Sequence, residues 1–486
     1  MQEEFVDDQG VQIVEHNIPE PEASTPAEAP AQPAVAATQT ASQTVLAAAA
    51  SEVHVSSADV RNMISYNYEE TPITDIVNTI ILEGIKKGAS DLHFDPHEQG
   101  LKIRIRIDGT LMDYSLVPLY VQKNMVTRIK IIAGMNITES RTPQDGAIKS
   151  NLEDMSIDLR VSSLPTNLGE KVVIRVMDYS MSEAGLDKLG LSEENLDKIY
   201  RIIAQPHGII LVTGATGSGK STTVYAMLQK LNTQDRNVIT VEDPVEMNIE
   251  GINQVQVISE IGLNFATVLR SILRQDPDTI MIGEIRDDET ARIAVRASIT
   301  GHLVLSTIHT NSALNTIERL LDMEVERYLL GAALSGIISQ TLARKLCMKC
   351  RIERPANDYE KSVFKKALPE LEVGIIFAAG NCEHCNQGYS GRVAIHEVLM
   401  LNQAIRDAIS KNVEKEDLRK LVYESGTITM LQDGLKKVAS GITTFEEIIK
   451  IIELDDDLGT NTNLGLSETL EDSQVSNENR DYDTLD

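Results

Sequence analysis

The stretch from Gly208 to Thr223, GIILVTGATGSGKSTT, constrains the fold more than any other part of the chain. Its first part, Ile209 to Thr213, is a short apolar run that ends at a glycine, which predicts a buried strand. The next residues match the pattern G-x-x-x-x-G-K-S, and the run from Val224 to Leu231 predicts a helix. Such glycines let backbone N–H groups converge on a phosphate chain, and the start of a helix adds free donors. A chance glycine turn is the alternative, but it leaves the order of strand, loop and helix unexplained.

The loop residues have separate predicted tasks. Lys220 would reach the β- and γ-phosphates of a nucleotide, and the Ser221 hydroxyl would hold Mg²⁺. The predicted phosphate-binding residues are Gly214, Ala215, Thr216, Gly217, Ser218, Gly219, Lys220, Ser221 and Thr222.

Three further apolar runs alternate with helical runs after this loop. They are Val238 to Glu242, Thr279 to Gly283 and Leu303 to Ile308. Strands that alternate with helices predict an α/β domain with a largely parallel sheet. In such a sheet the functional groups gather where the strands end, at their carboxyl termini.

Acidic and histidine side chains lie at the ends of these strands. Glu284 comes directly after the strand predicted over Thr279 to Gly283, where a carboxylate can orient Mg²⁺ or its waters. Glu246 ends the sequence VEDPVE and could position or deprotonate an attacking water, although a solvated acidic turn is the alternative. His302 and His309 flank the last strand; each could sense the charge of a γ-phosphate or be a structural residue.

A smaller α+β domain is predicted ahead of the nucleotide-binding one, over residues 61–180. Helical spacing after Thr71-Pro72 predicts a helix, and Lys102 to Ile107 alternates as a strand does before a turn at Asp108-Gly109. The segments Ser156 to Ser162 and Lys171 to Met177 look like a pair of strands. Tyr179 to Leu189 is a plausible linker to the second domain, which spans residues 181–455.

The four cysteines form two C-x-x-C pairs that are 31 residues apart. Each pair can bind one side of a tetrahedral ion, and using all four thiols leaves no open ligand position. The predicted site is therefore a structural Zn²⁺ site formed by Cys347, Cys350, Cys382 and Cys385. Two redox dithiols are the alternative, and His384 could replace one thiolate.

Charge is concentrated at both ends of the chain. The net charge is −28, of which residues 1–60 and the segment from Glu453 to the C-terminus each carry −10. The remaining −8 on the central region argues against general nucleic-acid binding, which relies on Lys and Arg. Residues 1–60 are rich in Pro, Ala, Thr and Ser and predict a disordered acidic arm, with a short interaction helix within Val45 to Val55 as the alternative. Residues 456–486 are expected to form an acidic disordered tail.

No apolar run is long enough to span a membrane, and the N-terminus has no signal-peptide pattern. These features predict a protein of the cytosol, where disulfides are rare.

Several motifs together resemble the bacterial secretion and traffic ATPases, which include type II secretion ATPases and type IV pilus assembly motors. The resemblance covers about Thr71 to Ile449. The motifs of the second domain are GATGSGKST (Gly214–Thr222), VEDPVE (Val241–Glu246), RQDPDTIMIGEIRD (Arg274–Asp287) and TGHLVLSTIHT (Thr300–Thr310). GASDLHFDP (Gly88–Pro96), RIRIDG (Arg104–Gly109) and RTPQDG (Arg141–Gly146) match the smaller domain of the family.

The resemblance implies a homo-hexamer in which a PAS-like N-terminal domain is flexibly joined to a RecA-like domain, with ATP at their interface. It implies that Glu246 is the catalytic base, that the Walker B strand ends in Glu284, and that His302 and His309 lie near the γ-phosphate. It also implies that Arg160 and Arg175 reach the phosphates, whereas the residues alone would allow two solvated strand arginines.

The zinc-binding insertion, predicted over residues 342–395, and the sequence GYSGRVAIHEVL (Gly388–Leu399) resemble assembly and secretion motors rather than retraction motors. His396 departs from the tyrosine that is usual there. The implied function is a cytoplasmic ATPase, peripheral at the inner face of the cytoplasmic membrane, that drives pilus or pseudopilus assembly through an integral inner-membrane platform protein. The alternatives are a pilus retraction motor, a RecA-like DNA motor with the zinc module as a clamp, and a regulator that does not hydrolyse ATP.

Overall fold

The computed structural model describes residues 66–68, 70–152, 155–177 and 185–452, of which 150–152 and 155–157 are described by their backbone alone. The predicted arm over residues 1–60, with its alternative helix, lies outside the described residues. The predicted tail over residues 456–486 and the first part of the predicted linker also lie outside them.

The first part of the chain forms an antiparallel sheet of six strands in the order β3-β2-β1-β6-β5-β4. The elements are α1 (Ile73–Lys86), β1 (Ala89–His97), β2 (Gly100–Ile107), β3 (Thr110–Pro118), α2 (Leu119–Ile132), β4 (Gln144–Leu152), β5 (Met155–Thr166) and β6 (Gly169–Val176).

One face of this sheet is apolar and the other is charged. Ile103 and Ile105 of β2 are buried in the core with residues of both helices, whereas Lys102 and Arg104 point to the opposite face. This is the alternation that the sequence predicts for a strand with one buried face. The charged face is the one that contributes side chains to the site described below.

The second part of the chain is an α/β unit built on a seven-stranded sheet in the order β15-β12-β7-β11-β10-β8-β9. Its strands are β7 (Gly208–Thr213), β8 (Val238–Glu242), β9 (Asn253–Gln256), β10 (Thr279–Ile282), β11 (Leu303–Ile308), β12 (Leu334–Leu346) and β15 (Tyr389–Met400). All neighbours are parallel except β12 and β15. The prediction of a largely parallel sheet is confirmed.

Helices cover this sheet. They are α3 (Glu193–Ile203), α4 (Lys220–Leu231), α5 (Phe265–Ile272), α6 (Asp288–Ile299), α7 (Ala313–Asp322), α8 (Arg327–Ala333), α10 (Gln403–Ser410), α11 (Lys415–Glu424), α12 (Met430–Ala439) and α13 (Phe445–Ile451). Two short 3₁₀ helices lie at Leu186–Lys188 and Ser259–Ile261.

The cysteine module lies between β12 and β15. Its own elements are β13 (Ile352–Pro355), α9 (Asp358–Ala367) and β14 (Ile375–Ala378). The module spans residues 347–388, which is narrower than the predicted 342–395, because both ends of the predicted range are strand residues of the main sheet. Buried polar residues such as Ser339 and Gln340 interrupt the apolar pattern of β12, so the sequence gives little sign of a strand. Among the described residues, the structure contains no helix with the length and apolar character of a membrane span.

Candidate functional site

The predicted strand, loop and helix at Gly208 to Thr223 are present: β7 ends at Thr213 and α4 begins at Lys220. The loop between them needs its glycines. A Cβ atom at Gly214 would lie 2.2 Å from the backbone oxygen of Gln340, and Gly217 and Gly219 have φ angles of 79° and 88°. Residues that carry a side chain rarely adopt such backbone angles, so the loop backbone requires glycine at these positions.

Lys220 is folded back over the loop. Its Nζ atom donates to the backbone oxygen of Gly214 at 2.9 Å and of Ala215 at 3.1 Å. Burial lowers the pKa of Lys220, and the nearby carboxylate of Glu284 acts in the opposite direction. The ammonium group is thus held beside the place where the sequence predicts a phosphate.

Gln340 supports the loop from β12, which sequence reasoning missed. Its side-chain amide donates to the backbone oxygen of Ser218 at 2.8 Å and accepts from the hydroxyl of Thr223 at 2.8 Å. The residue is buried and more than a hundred positions away from the loop along the chain. No local motif signals such a contact.

Glu284 and His309 lie close to Lys220, as the sequence predicts. The carboxylate of Glu284 is 3.5 Å from Nε2 of His309 and 2.5 Å from the guanidinium of Arg286. Nδ1 of His309 is 3.5 Å from Nζ of Lys220. An acid, an ammonium and an imidazole therefore meet at the carboxyl ends of β10 and β11.

His302 lies apart from this group in the structure, and its implied place near the γ-phosphate stays a prediction. It precedes β11, so a strand of six residues separates it from His309. Its Nδ1 atom lies 2.9 Å from the backbone oxygen of Ala297. Because strand residues rise about 3.3 Å each, the two rings are at opposite ends of β11.

The N-terminal sheet supplies the other side of the site. Arg175 donates from Nε to the carboxylate of Asp91 at 3.0 Å, and Nε of Arg106 is 3.7 Å from the same carboxylate. Arg160 donates instead to the backbone oxygen of Val245 at 3.0 Å, next to Glu246. Of these, Asp91 and Arg106 were not singled out from the sequence.

A cleft of about 730 Å³ lies between these two sides. Lys220, Ser221, Glu246, Glu284 and His309 line it from the α/β unit. The opposite wall carries Arg106, Arg175 and Asp91, and Arg392 of β15 also contributes. Cations on both walls and carboxylates at the strand ends suit a polyphosphate with a divalent cation, and the Ser221 hydroxyl is available as a ligand for that cation.

The four cysteines form one cluster in which all the sulfur atoms lie within 4.8 Å of one another. Three of the Sγ–Sγ distances are 3.8 Å for Cys347 and Cys382, 3.6 Å for Cys350 and Cys385, and 3.5 Å for Cys382 and Cys385. A tetrahedron with Zn–S bonds of 2.3 Å has edges of about 3.8 Å. The cluster therefore fits a four-thiolate Zn²⁺ site, with His384 as an adjacent residue that the geometry does not require.

The chain is similar to known proteins over most of its length. The family model described as Type II/IV secretion system protein matches residues 66–450. The chain is 46% identical over 381 residues to the putative type II secretion system protein E of Escherichia coli, covering 78% of this chain and 77% of the relative. It is 44% identical over 386 residues to the type IV pilus assembly ATPase PilB of Myxococcus xanthus, covering 78% of this chain and 68% of the relative.

Two solved structures share the fold. The ATPase DotB of Legionella pneumophila superposes with a TM-score of 0.60 at 23% identity, over 80% of this chain and 98% of that one. The pilus retraction motor PilT with bound ADP gives 0.55 at 28% identity, over 79% of this chain and 98% of that one. With a family match that covers most of its length and relatives above 40% identity, the chain belongs to the family of type II/IV secretion system proteins.

Proposed function

We propose that the chain is an ATPase that drives the assembly of a type IV pilus or a type II secretion pseudopilus. The observation that carries the proposal is the cleft, where the Lys220 loop on one wall faces Arg106 and Arg175 on the other. The names of the relatives support it, since they include a type II secretion system ATPase and type IV pilus assembly ATPases.

In this proposal ATP, with Mg²⁺, is the nucleotide. The loop from Gly214 to Thr222 binds the phosphates, Lys220 neutralises the β- and γ-phosphates, and Ser221 holds the cation. Glu284 orients the cation or its waters, His309 senses the γ-phosphate, and Glu246 acts as the base toward the attacking water. The four cysteines bind a structural Zn²⁺.

Mechanical work would come from movement of the two walls of the cleft relative to each other. Arg160 and Arg175 would contact the terminal phosphate only while it is present, so hydrolysis would release the N-terminal domain from the RecA-like domain. We assign the N-terminal domain to the PAS-like class, and we expect a homo-hexamer that acts on an integral inner-membrane platform protein from the cytoplasmic face.

Assembly is favoured over retraction. The chain is 44% identical to one PilB protein, against 28% to the PilT structure, and its four cysteines are arranged for metal binding. Deleting the gene separates the two, because loss of an assembly motor removes the filaments whereas loss of a retraction motor leaves unretracted ones.

The site assignment is tested by Lys220→Ala, with Lys230→Ala as the matched control. Lys230 lies on the same helix but is exposed and outside the cleft. We expect Lys220→Ala to reduce ATP turnover at least 100-fold and Lys230→Ala to leave it unchanged. Full activity of Lys220→Ala would refute the assignment.

A further inference from the structure

Tyr225 is a buried tyrosine on helix α4. Its side chain is 2% exposed, and it lies at the back of the cleft. We propose that Tyr225 is a positioning residue that orients the peptide group of Glu246 for catalysis. This inference rests on the proposed function, in which Glu246 is the base.

The hydroxyl of Tyr225 connects two points of the segment that follows β8. It donates to the carboxylate of Glu242, the last residue of that strand, and it accepts from the backbone N–H of Glu246 at 3.3 Å. A phenol has a single proton, and Tyr225 donates that proton to the carboxylate of Glu242. The oxygen lone pairs of Tyr225 are therefore left for the N–H of Glu246.

Glu242 is itself held in one orientation. It is 3% exposed and accepts from the hydroxyl of Thr240 at 2.6 Å and from the side-chain amide of Gln254 at 2.9 Å. The same amide nitrogen also donates to the backbone oxygen of Met247 at 2.9 Å. Tyr225 and Gln254, both bonded to Glu242, thus hold the backbone on the two sides of Glu246.

The peptide group between Val245 and Glu246 is bound at both of its polar atoms. Its N–H donates to Tyr225, and its carbonyl oxygen accepts from Arg160 at 3.0 Å. Because a peptide group is planar, fixing both atoms fixes the direction in which the chain leaves toward the Glu246 side chain. The Tyr225 contact comes from the helix of the phosphate loop and would persist when Arg160 turns to a bound phosphate, whereas the Arg160 contact comes from the N-terminal domain and would be released.

A base works only at hydrogen-bond distance from the proton that it takes, and a displacement of about 1 Å can cost roughly 100-fold in rate. Tyr225→Phe keeps the ring and removes the hydroxyl. We expect it to lower kcat about tenfold or more while the KM for ATP stays within about twofold. A loss of packing alone would not separate kcat from KM in this way.

The decisive measurement is a double-mutant cycle in the full chain. Turnover is compared for wild type, Tyr225→Phe, Glu246→Gln and the double variant. If Tyr225 acts through Glu246, the phenylalanine has no further effect on the residual rate of Glu246→Gln. Tyr200→Phe is the matched control, because Tyr200 is outside the cleft and its hydroxyl donates to Asp187; it should behave as wild type.

The outcomes separate the two claims. Wild-type turnover by Glu246→Gln would refute the proposed base, whatever Tyr225→Phe does. A strongly impaired Glu246→Gln beside a fully active Tyr225→Phe would overturn only the inference, as would an equal fold-loss in both backgrounds or a loss confined to KM. If Tyr225→Phe proves unstable in thermal unfolding, the same cycle is run with Tyr225→Met, which also fills the space without a hydroxyl.

Discussion

Asp108 accepts a hydrogen bond of 2.8 Å from the backbone N–H of Gly391, across 283 positions of sequence. Asp108 forms the turn between β2 and β3, and Gly391 lies in β15 just beyond the cysteine module. A second contact of 2.9 Å joins the Asn386 side chain to the sulfur of Met112 nearby. The N-terminal sheet thus touches the strand that leaves the metal site as well as the cleft.

Removing the Asp108 carboxylate should free the Gly391 amide. A hydrogen bond to a charged group contributes about 1.5 kcal/mol at an exposed site, so Asp108→Ala should speed hydrogen exchange at Gly391 by about tenfold. Exchange followed by mass spectrometry on a peptide that contains Gly391 measures this. Asp113→Ala is the control, since Asp113 pairs with Lys102 within the N-terminal sheet. Equal protection in both variants would contradict the contact.

Asp91 should matter for turnover although it is an acid among phosphate-binding groups. Its buried carboxylate holds Arg175 and lies near Arg106, so Asp91→Ala would leave both guanidinium groups unfixed. Losing one preorganised charged contact costs roughly 3 kcal/mol in the transition state, and we therefore expect kcat/KM for ATP to fall by roughly 100-fold or more.

The matched control for Asp91→Ala is Asp197→Ala. Asp197 pairs with Arg201 on the surface of α3, away from the cleft. Steady-state ATP turnover of both variants measures whether Asp91 is needed. An Asp91→Ala variant as active as its control would show that the arginines need no anchor.

Local sequence was enough to place the phosphate loop, its strand and helix, Glu284 and His309, because each lies within a short motif at a strand end. Motif order could not show that Gln340 supports the loop or that Tyr225 reaches Glu246, because those contacts join distant segments. His302 belongs to the same motif as His309, but a whole strand lies between them, so a shared motif does not mean a shared location. Strands β12 and β15 were missed because buried polar residues obscure their pattern.

The metal site should be structural rather than catalytic. Cys347 directly follows β12, and its N–H donates to the backbone oxygen of Gly388 at 2.8 Å, next to the start of β15. Because metal binding contributes directly to folding free energy, a strong chelator should lower the thermal midpoint. Elemental analysis should find one Zn²⁺ per chain, and Cys382→Ser should lower both the metal content and the midpoint. A metal-free protein of equal stability would refute the site.

His396 should make the protein sensitive to mild acid. The ring is fully buried in β15, and neither of its nitrogens has a hydrogen-bond partner in the described part of the chain. Burial, together with the positive charge of Lys437, lowers the pKa of His396 from 6.5 to about 3. Asp433 pairs with Lys437 and accepts a hydrogen bond from the backbone N–H of His396 rather than from its ring.

Acid lowers the stability of the folded chain because the unfolded chain binds a proton that the folded chain does not. Between about pH 3 and pH 6.5 the unfolded chain holds a proton on this ring and the folded chain does not, so the contribution to stability is complete above pH 6.5 and is lost as the pH falls. The loss of unfolding free energy is roughly 1.4 kcal/mol per pH unit below 6.5.

His396→Leu removes the titration of this ring while other groups titrate as before. We expect the thermal midpoint of wild type to fall about 3 °C further than that of His396→Leu between pH 7 and pH 5.5. His97→Gln, at an exposed histidine, is the control and should follow wild type. Parallel curves for wild type and His396→Leu would mean that this ring does not set the acid sensitivity.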